Sequence, residues 1–350
     1  MSNNETIRVG IVGAGNNTRL RHIPGLQEIE GVEIVSVVNR SRESSQRVAS
    51  EFGIPKVYDS WKELVEAPDT SAIVIGTWPY LHYPITMAAI AANKHVLCEA
   101  RMAMNAWEAR QMWDAARARP DLVTQIVPSP FSLHVDKTIQ RLIREGYLGD
   151  ILAIEVNASN GNFLDPQGPL HWRHDFDLSG YNIMALGIWY EALMRWVGTA
   201  KTVTANGKTF VNQRKDAESG SLKSIQIPDR LAVLADMVCG AQASLLLSDV
   251  DGGVKRFEAT LYGSEGTIRF ANGELSGIRR GDNGFSPISI PDEEKGEWQV
   301  EAEFIQAIRG QRVVTHTTFA DGVKYMEFTE AVSRSMLENK TISLPLSPQS

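Results

Sequence analysis

The stretch GIVGAGNNTRLRHIPGL, residues 10–26, constrains this chain more than any other. It continues the β-branched run IRVGIV and ends it at a glycine turn, so it reads as a buried strand opening into a helix. Gly13 and Gly15 are spaced to turn the backbone tightly and to let a pyrophosphate approach the helix N-terminus, with Asn16 and Asn17 beside them. Thr18 stands where the third glycine of the pattern usually falls. A tight turn without a ligand is the other reading. The position of the turn inside a strand–helix–strand unit favours a dinucleotide.

Strand-like runs recur at 32–39, 57–59, 71–77, 95–99 and 122–127, with helical runs between them. Ser41 opens and Gly53 closes the helix after the second run. This alternation predicts a doubly wound parallel sheet with helices on both faces. After residue 127 the texture changes. One helix near 134–146 gives way to long alternating strands, interrupted by a helix at about 180–197 and closed by helices at about 297–310 and 320–338. That pattern predicts a mostly antiparallel open-faced sheet with one buried face. The expected class is α/β: a Rossmann domain over 1–127 and an α/β domain over 128–350.

Charge and cysteines narrow the function. The 350 residues carry 35 Lys and Arg against 42 Asp and Glu, a net charge of −7, which argues against nucleic acid or a membrane as partner. Cys98 and Cys239 form no CxxC and no metal spacing, so no metal is expected, and a reduced, cytoplasmic setting is. The first residues lead straight into a strand with no basic-then-apolar signal region, and no apolar run reaches membrane length.

The second strand ends in Asn39, Arg40, Ser41 and Arg42, where dinucleotide folds commonly place an acid for the ribose 2′-hydroxyl. Without that acid a 2′-phosphate is not repelled, and Arg40 with Ser41 can hold it. This favours NADP over NAD. Arg40 stacked on the adenine of NAD, or turned to solvent, is the competing reading.

Over nearly its whole length the chain resembles the glucose–fructose oxidoreductase / inositol dehydrogenase / MocA (Gfo/Idh/MocA) family. The resemblance rests on RVGIVGAG, AIVIGTWPYLHYPITMAAIAANKHVLCE, LIREGYLGDILAIEV, HWRHDFDLSGYNIMALGI and LYGSEGTIRF, in that order. It implies a homo-oligomeric NAD- or NADP-dependent oxidoreductase of sugars, polyols or sugar acids, whose second domain binds substrate and mediates oligomerisation. It also implies that Thr77, Pro79, His82 and Glu99 lie on the nicotinamide side of the cofactor. The chain departs from the family where proton transfer is organised. Ala100 and Arg101 stand at the lysine and proline of the usual Glu-Lys-Pro, and Ala185 and Trp189 stand at an Asp and a His.

Oxidation of a carbinol still needs a base for the hydroxyl proton. His174 and His171 lead, because histidine titrates nearest neutrality; Tyr181 and Asp177 follow. Each histidine can instead cap or pack, and Tyr181 and Tyr190 can be pocket wall. Trp172 offers an aromatic platform for a sugar ring. Arg101 and Arg173 suit an anionic substrate, since a guanidinium pairs bidentately with carboxylate or phosphate. Two further readings stay open. The first is a redox-neutral isomerase, lyase or glycosidase that recycles its nicotinamide; the second is a cofactor-binding sensor without catalysis.

Overall fold

Six short apolar runs pair into one parallel sheet in the computed structural model, which describes residues 6–347. Residues 1–5, read from sequence as the lead into the first strand, lie outside the described residues. The strands are β1 (Ile7–Val12), β2 (Val32–Val38), β3 (Lys56–Val57), β4 (Ala72–Ile75), β5 (His95–Cys98) and β6 (Thr124–Ile126). Their order is β3-β2-β1-β4-β5-β6, so the chain reverses direction across the sheet between β1 and β4. All four residues of β4 and all four of β5 are buried, as a sheet covered on both faces requires.

The helices between these strands are α1 (Ile23–Gln27), α2 (Arg42–Phe52), α3 (Trp61–Glu66), α4 (His82–Ala91) and α5 (Ala106–Ala118). Three of them start at a side-chain cap, Ser41, Ser60 or Asn105, each accepting the N–H three residues on. Such a cap contributes about 1 kcal/mol by satisfying a donor the helix leaves open. Gly53 closes α2 with φ +69°, a left-handed conformation in which a Cβ is strained.

The chain divides into two compact units, one comprising Met1–Pro128 with Gln299–Val323, the other Ser129–Trp298 with Lys324–Ser350. The sequence expectation put everything after 127 in one domain, and residues 299–323 depart from it. Their helix, α9 (Val300–Ile308), packs on α1, and Thr317 exchanges backbone hydrogen bonds with Ile126 at 2.9 and 3.1 Å. Alternation of elements carries no record of such a return.

The second unit holds α6 (Leu133–Arg144), β7 (Ile151–Asn160), α7 (Phe176–Ser179), α8 (Leu186–Val197), β8 (Ala200–Lys208), β9 (Gln213–Lys215), β10 (Leu222–Ser224), β11 (Arg230–Met237), β12 (Gln242–Ser248), β13 (Lys255–Gly263), β14 (Gly266–Ala271), β15 (Glu274–Arg279) and β16 (Ser286–Pro287). β17 (Ile342–Ser343) follows α10 (Phe319–Glu338). A nine-stranded sheet runs β16-β15-β14-β13-β7-β12-β11-β8-β17, antiparallel except where β12 lies parallel to β7. β11 shows the two-residue period in full: Leu231, Val233, Ala235 and Met237 are buried, while Leu234 is exposed. The helix expected over about 180–197 is α8, which starts only at Leu186; α7 is a separate short helix before that range, and Gly180 at φ +60° ends it.

Candidate functional site

In an open parallel sheet, ligands bind beyond the carboxyl ends of the strands, near the point where strand order reverses. Here that region holds the loops after β1, β2, β4 and β5. Gly13 sits at φ +86°, and a Cβ there would lie 2.8 Å from the Thr77 nitrogen, so the loops after β1 and β4 are in backbone contact. Gly15 is exposed, and a Cβ on it would meet only the Gly76 carbonyl, at 3.4 Å. Asn16, also exposed, begins the helical turns that follow. Thr77 brings to the same strand ends a buried hydroxyl with no hydrogen-bond partner among the described residues. The open side of Gly15 and this orphaned hydroxyl fit a dinucleotide.

Asn39 is committed to the protein itself. Its Oδ1 accepts the Ala14 N–H at 2.7 Å and its Nδ2 donates to the Ser44 carbonyl at 3.3 Å. Ser41 caps α2, so an uncapped acid is missing and a helix N-terminus is present where the ribose edge is expected. The Arg40 guanidinium lies 6.0 Å from the Trp78 ring centre. Pro79 is buried at the start of a short 3-10 turn, which leads into α4. His82, the first residue of α4, is fully buried, with Nδ1 2.8 Å from the Arg101 carbonyl oxygen and Nε2 3.0 Å from that of Thr77. Burial lowers its pKa against the pull of those carbonyls. His82 therefore joins the loops after β4 and β5 from below, and both its nitrogens are occupied by backbone.

Glu99 leaves the end of β5 and is held on every side. Its Oε1 accepts from Asn17 Nδ2 and lies 3.0 Å from His22 Nε2, while its Oε2 accepts the Ala100 N–H at 3.1 Å. His22, on the π-helical turn Thr18–His22 after the glycine loop, has no exposed surface. Its Nδ1 is 2.5 Å from Glu301 Oε1 on α9. Burial alone would lower the His22 pKa, but the two carboxylates outweigh it and push the value up to about 9. Burial likewise works to raise the Glu99 pKa, yet the His22 hydrogen bond and charge hold it below the usual carboxylate range. Arg101 is half-buried beyond Ala100.

In the second unit, HWRHD folds as one capped turn. His171 Nδ1 accepts the Arg173 N–H at 3.2 Å and starts the 3-10 turn Trp172–His174. Asp175 then accepts the Asp177 N–H at 3.0 Å, capping α7, and its other oxygen takes Lys223 Nζ at 2.7 Å. The Ser179 hydroxyl donates to the Trp172 carbonyl at 2.9 Å, fixing the turn to α7. The Arg173 guanidinium lies over the Trp172 ring at 4.3 Å. His174 is half-buried, and its Nδ1 is enclosed with no hydrogen-bond partner among the described residues. Burial, helped by the Arg214 charge, lowers its pKa; burial and Arg173 do the same for His171. Asp177 is exposed. Tyr181 stands edge-on to Phe176, and burial raises its pKa, so at neutral pH it is a donor.

Both parts of one known family match this architecture. An oxidoreductase family with an NAD-binding Rossmann fold matches residues 7–126, and the Gfo/Idh/MocA C-terminal domain matches 137–269. The chain belongs to the Gfo/Idh/MocA oxidoreductase family. As a member it is an NAD-binding oxidoreductase. An uncharacterised oxidoreductase of Synechocystis sp. is 24% identical over 302 residues, covering 84% of this chain and 80% of that protein. The fold matches that of an oxidoreductase domain protein from Kribbella flavida with a TM-score of 0.83 at 20% identity, over 98% of this chain and 100% of that one. A levoglucosan dehydrogenase in complex with NADH and levoglucosan superposes with a TM-score of 0.83 at 21% identity, over 97% and 100% of the two chains.

One expected pocket residue lies elsewhere in this Gfo/Idh/MocA protein. Tyr190, read as part of the substrate wall, is 1% exposed, stacked on Phe328 at 3.6 Å, with its hydroxyl accepting the Ala200 N–H at 2.9 Å. It faces the core because α8 turns one whole side into the second unit. Trp189 is fully buried beside it, 4.5 Å from the Phe131 ring and 4.6 Å from that of Phe257, and Ala185 stands half-buried just before α8. His22 and Glu301 were not singled out by sequence. A histidine seven residues past Gly15 gives a faint signal, and nothing links it to a glutamate 279 positions away. No described helix is long and apolar enough to cross a membrane.

Proposed function

We propose that the chain oxidises a hydroxyl-bearing carbon of an anionic sugar or sugar acid, with His174 accepting the hydroxyl proton. The observation that carries this reading is the state of the His174 ring. Its Nδ1 is enclosed, its Nε2 makes no hydrogen bond among the described residues, and its lowered pKa keeps the ring neutral at pH 7, so that with the proton on Nδ1 the Nε2 lone pair is free to accept. The bound nicotinamide supplies the hydride acceptor. Gly13, Gly15, Asn16 and Asn17 form the cradle that holds its pyrophosphate; Thr77 and the Glu99 segment face the reactive half. Trp172, braced by Arg173, offers a flat face to a sugar ring, and a guanidinium such as that of Arg173 or of Arg101 suits an acidic substituent. The name of the levoglucosan dehydrogenase supports a carbohydrate substrate. Leu234, more than half exposed on the open side of β11, suits self-association, which light scattering would read.

The test is a screen of sugars, polyols and sugar acids for reduction of added NAD and NADP, with the cofactor content of the purified protein measured alongside. Net reduction by an acidic sugar supports the reading. Product without net reduction would point instead to oxidation and re-reduction within one cycle. No product from any compound, with cofactor bound, would point to a sensor.

Two side chains divide the finer possibilities. Asn39 tied to the glycine turn and the lack of an acid at the strand end support the reading that Arg40 favours a 2′-phosphate. Arg40→Ala should weaken NADP by about 1.5–3 kcal/mol, the range for a hydrogen bond to a charged group, and leave NAD nearly unchanged. Equal losses in titrations with the two cofactors would mean that Arg40 stacks, as its approach to Trp78 allows. For Arg101, the guanidinium is a poor proton acceptor at any physiological pH, so its role is orientation. Arg101→Ala should raise KM for acidic substrates by roughly tenfold or more while sparing neutral sugars. Equal treatment of both classes, with a lowered Tm, would make Arg101 structural.

A further inference from the structure

The His22 ring lies between two carboxylates inside the first unit, and the proposed chemistry does not use it. Nδ1 is 2.5 Å from Glu301 Oε1 and Nε2 is 3.0 Å from Glu99 Oε1. A neutral imidazole has one N–H and one lone pair, so against two ionised carboxylates one of these contacts would be repulsive. Two N–H donors satisfy both. The ring has no exposed surface and Glu301 is only 4% exposed, so bulk water does not reach the His22–Glu301 contact. Removing one partner from such a buried set leaves the rest uncompensated.

What the set holds in place is Glu99. That carboxylate also accepts from Asn17, two residues past Gly15, and from the Ala100 N–H, so it binds the glycine-loop helix to the segment after β5. These are the carboxyl ends where an open parallel sheet takes its ligand. Two carboxylates and one imidazolium give this set of three side chains a net charge of −1, with the Arg101 guanidinium two residues beyond Glu99 on the same segment. The other titratable ring beside Glu99 is His82, whose nitrogens face the Arg101 and Thr77 carbonyls and whose pKa burial lowers against their pull.

We propose that His22 and Glu301 are positioning residues that fix Glu99 as an immobile carboxylate, and that this preorganised charge makes the site favour the oxidised, cationic nicotinamide over the reduced, neutral one. The inference rests on the dinucleotide reading of the first unit. Oxidised and reduced cofactor differ by one positive charge at the ring, and a fixed negative charge in a partly enclosed site distinguishes them without moving. Glu301→Gln tests the remote member. Its amide oxygen can still accept from Nδ1, so the ring keeps its place, while the set loses its net charge.

The experiment has two arms on the full chain. In the first, equilibrium titrations with NAD⁺ and NADH compare wild type with Glu301→Gln and Glu99→Gln. The affinity ratio of oxidised to reduced form should fall roughly five- to twentyfold in both variants, the scale of one charge acting across a few ångströms of partly solvated protein. Equal weakening of both forms would show a merely structural clamp and overturn the proposal. A wild type that binds neither form would overturn the dinucleotide reading and the proposal together. In the second arm, which needs neither variant nor cofactor, nitrogen NMR follows the His22 ring in wild type. Both nitrogens should stay protonated through pH 8. A neutral ring at pH 7, with the proton on Glu301, would overturn the fixed-cation assignment even where cofactor binds.

Discussion

Gly15→Val should remove NAD and NADP binding together, by roughly a hundredfold or more, because the new side chain stands where the backbone must admit a pyrophosphate. The same variant should keep its fold. A Cβ at Gly15 meets a single neighbour, the Gly76 carbonyl, at ordinary contact distance, and the residue is exposed. Its Tm should therefore move by no more than about 2 °C, as for a surface change within about 0.5 kcal/mol. Gly13→Val supplies the contrast. There φ is +86°, and a Cβ would press within 2.8 Å of the Thr77 nitrogen and 2.9 Å of the Gly76 carbonyl carbon. That variant should lose stability as well as binding, since neither backbone can yield cheaply. Fluorescence titration with NADH and a melting curve on each protein read both effects. Unchanged binding in Gly15→Val would remove the cradle from the cofactor site.

The glycine turn after β1 was legible because its causes are local. A β-branched run, two glycines at fixed spacing and a serine cap each act within a few residues, and the alternation of runs then sets a parallel sheet. The caps Ser41, Ser60 and Asn105 and the closing Gly53 belong to the same class of signal. Features that depend on contacts distant in sequence were not legible. Residues 299–323 return to the first unit through α9, and the His22–Glu301 contact spans 279 positions. Neither leaves a pattern along the chain. Tyr190 shows a third limit. In an amphipathic helix such as α8, sequence identifies an aromatic face but not whether that face meets core or ligand. Here the stacked Phe328 ring decides for core.

The candidates for proton transfer separate on hydrogen bonding rather than on residue type. His171 and His174 are three residues apart and burial lowers the pKa of both, so both rings are neutral at pH 7. The Arg173 N–H, however, donates to His171 Nδ1, which spends that lone pair and leaves the proton of the neutral ring on Nε2. His171 can then donate through Nε2 but cannot accept there. His174 has no such constraint. Its Nδ1 makes no hydrogen bond and can carry the proton, which leaves Nε2 with a lone pair and no partner among the described residues. Tyr181 is ruled a donor by its raised pKa. With a substrate from the screen, His174→Ala should lower kcat by about 10² to 10⁴, the usual worth of a positioned base, while the Kd for NADH stays within a few-fold. The pH profile gives a second signature. Protonation of His174 removes its lone pair, so wild-type kcat should be level above pH ~6.5 and fall as pH drops through the lowered pKa. His174→Ala should lose that acid limb, and His171→Ala should keep it. If His174→Ala retains activity within a few-fold and the limb survives, the proton goes elsewhere, and Asp177 becomes the group to replace next.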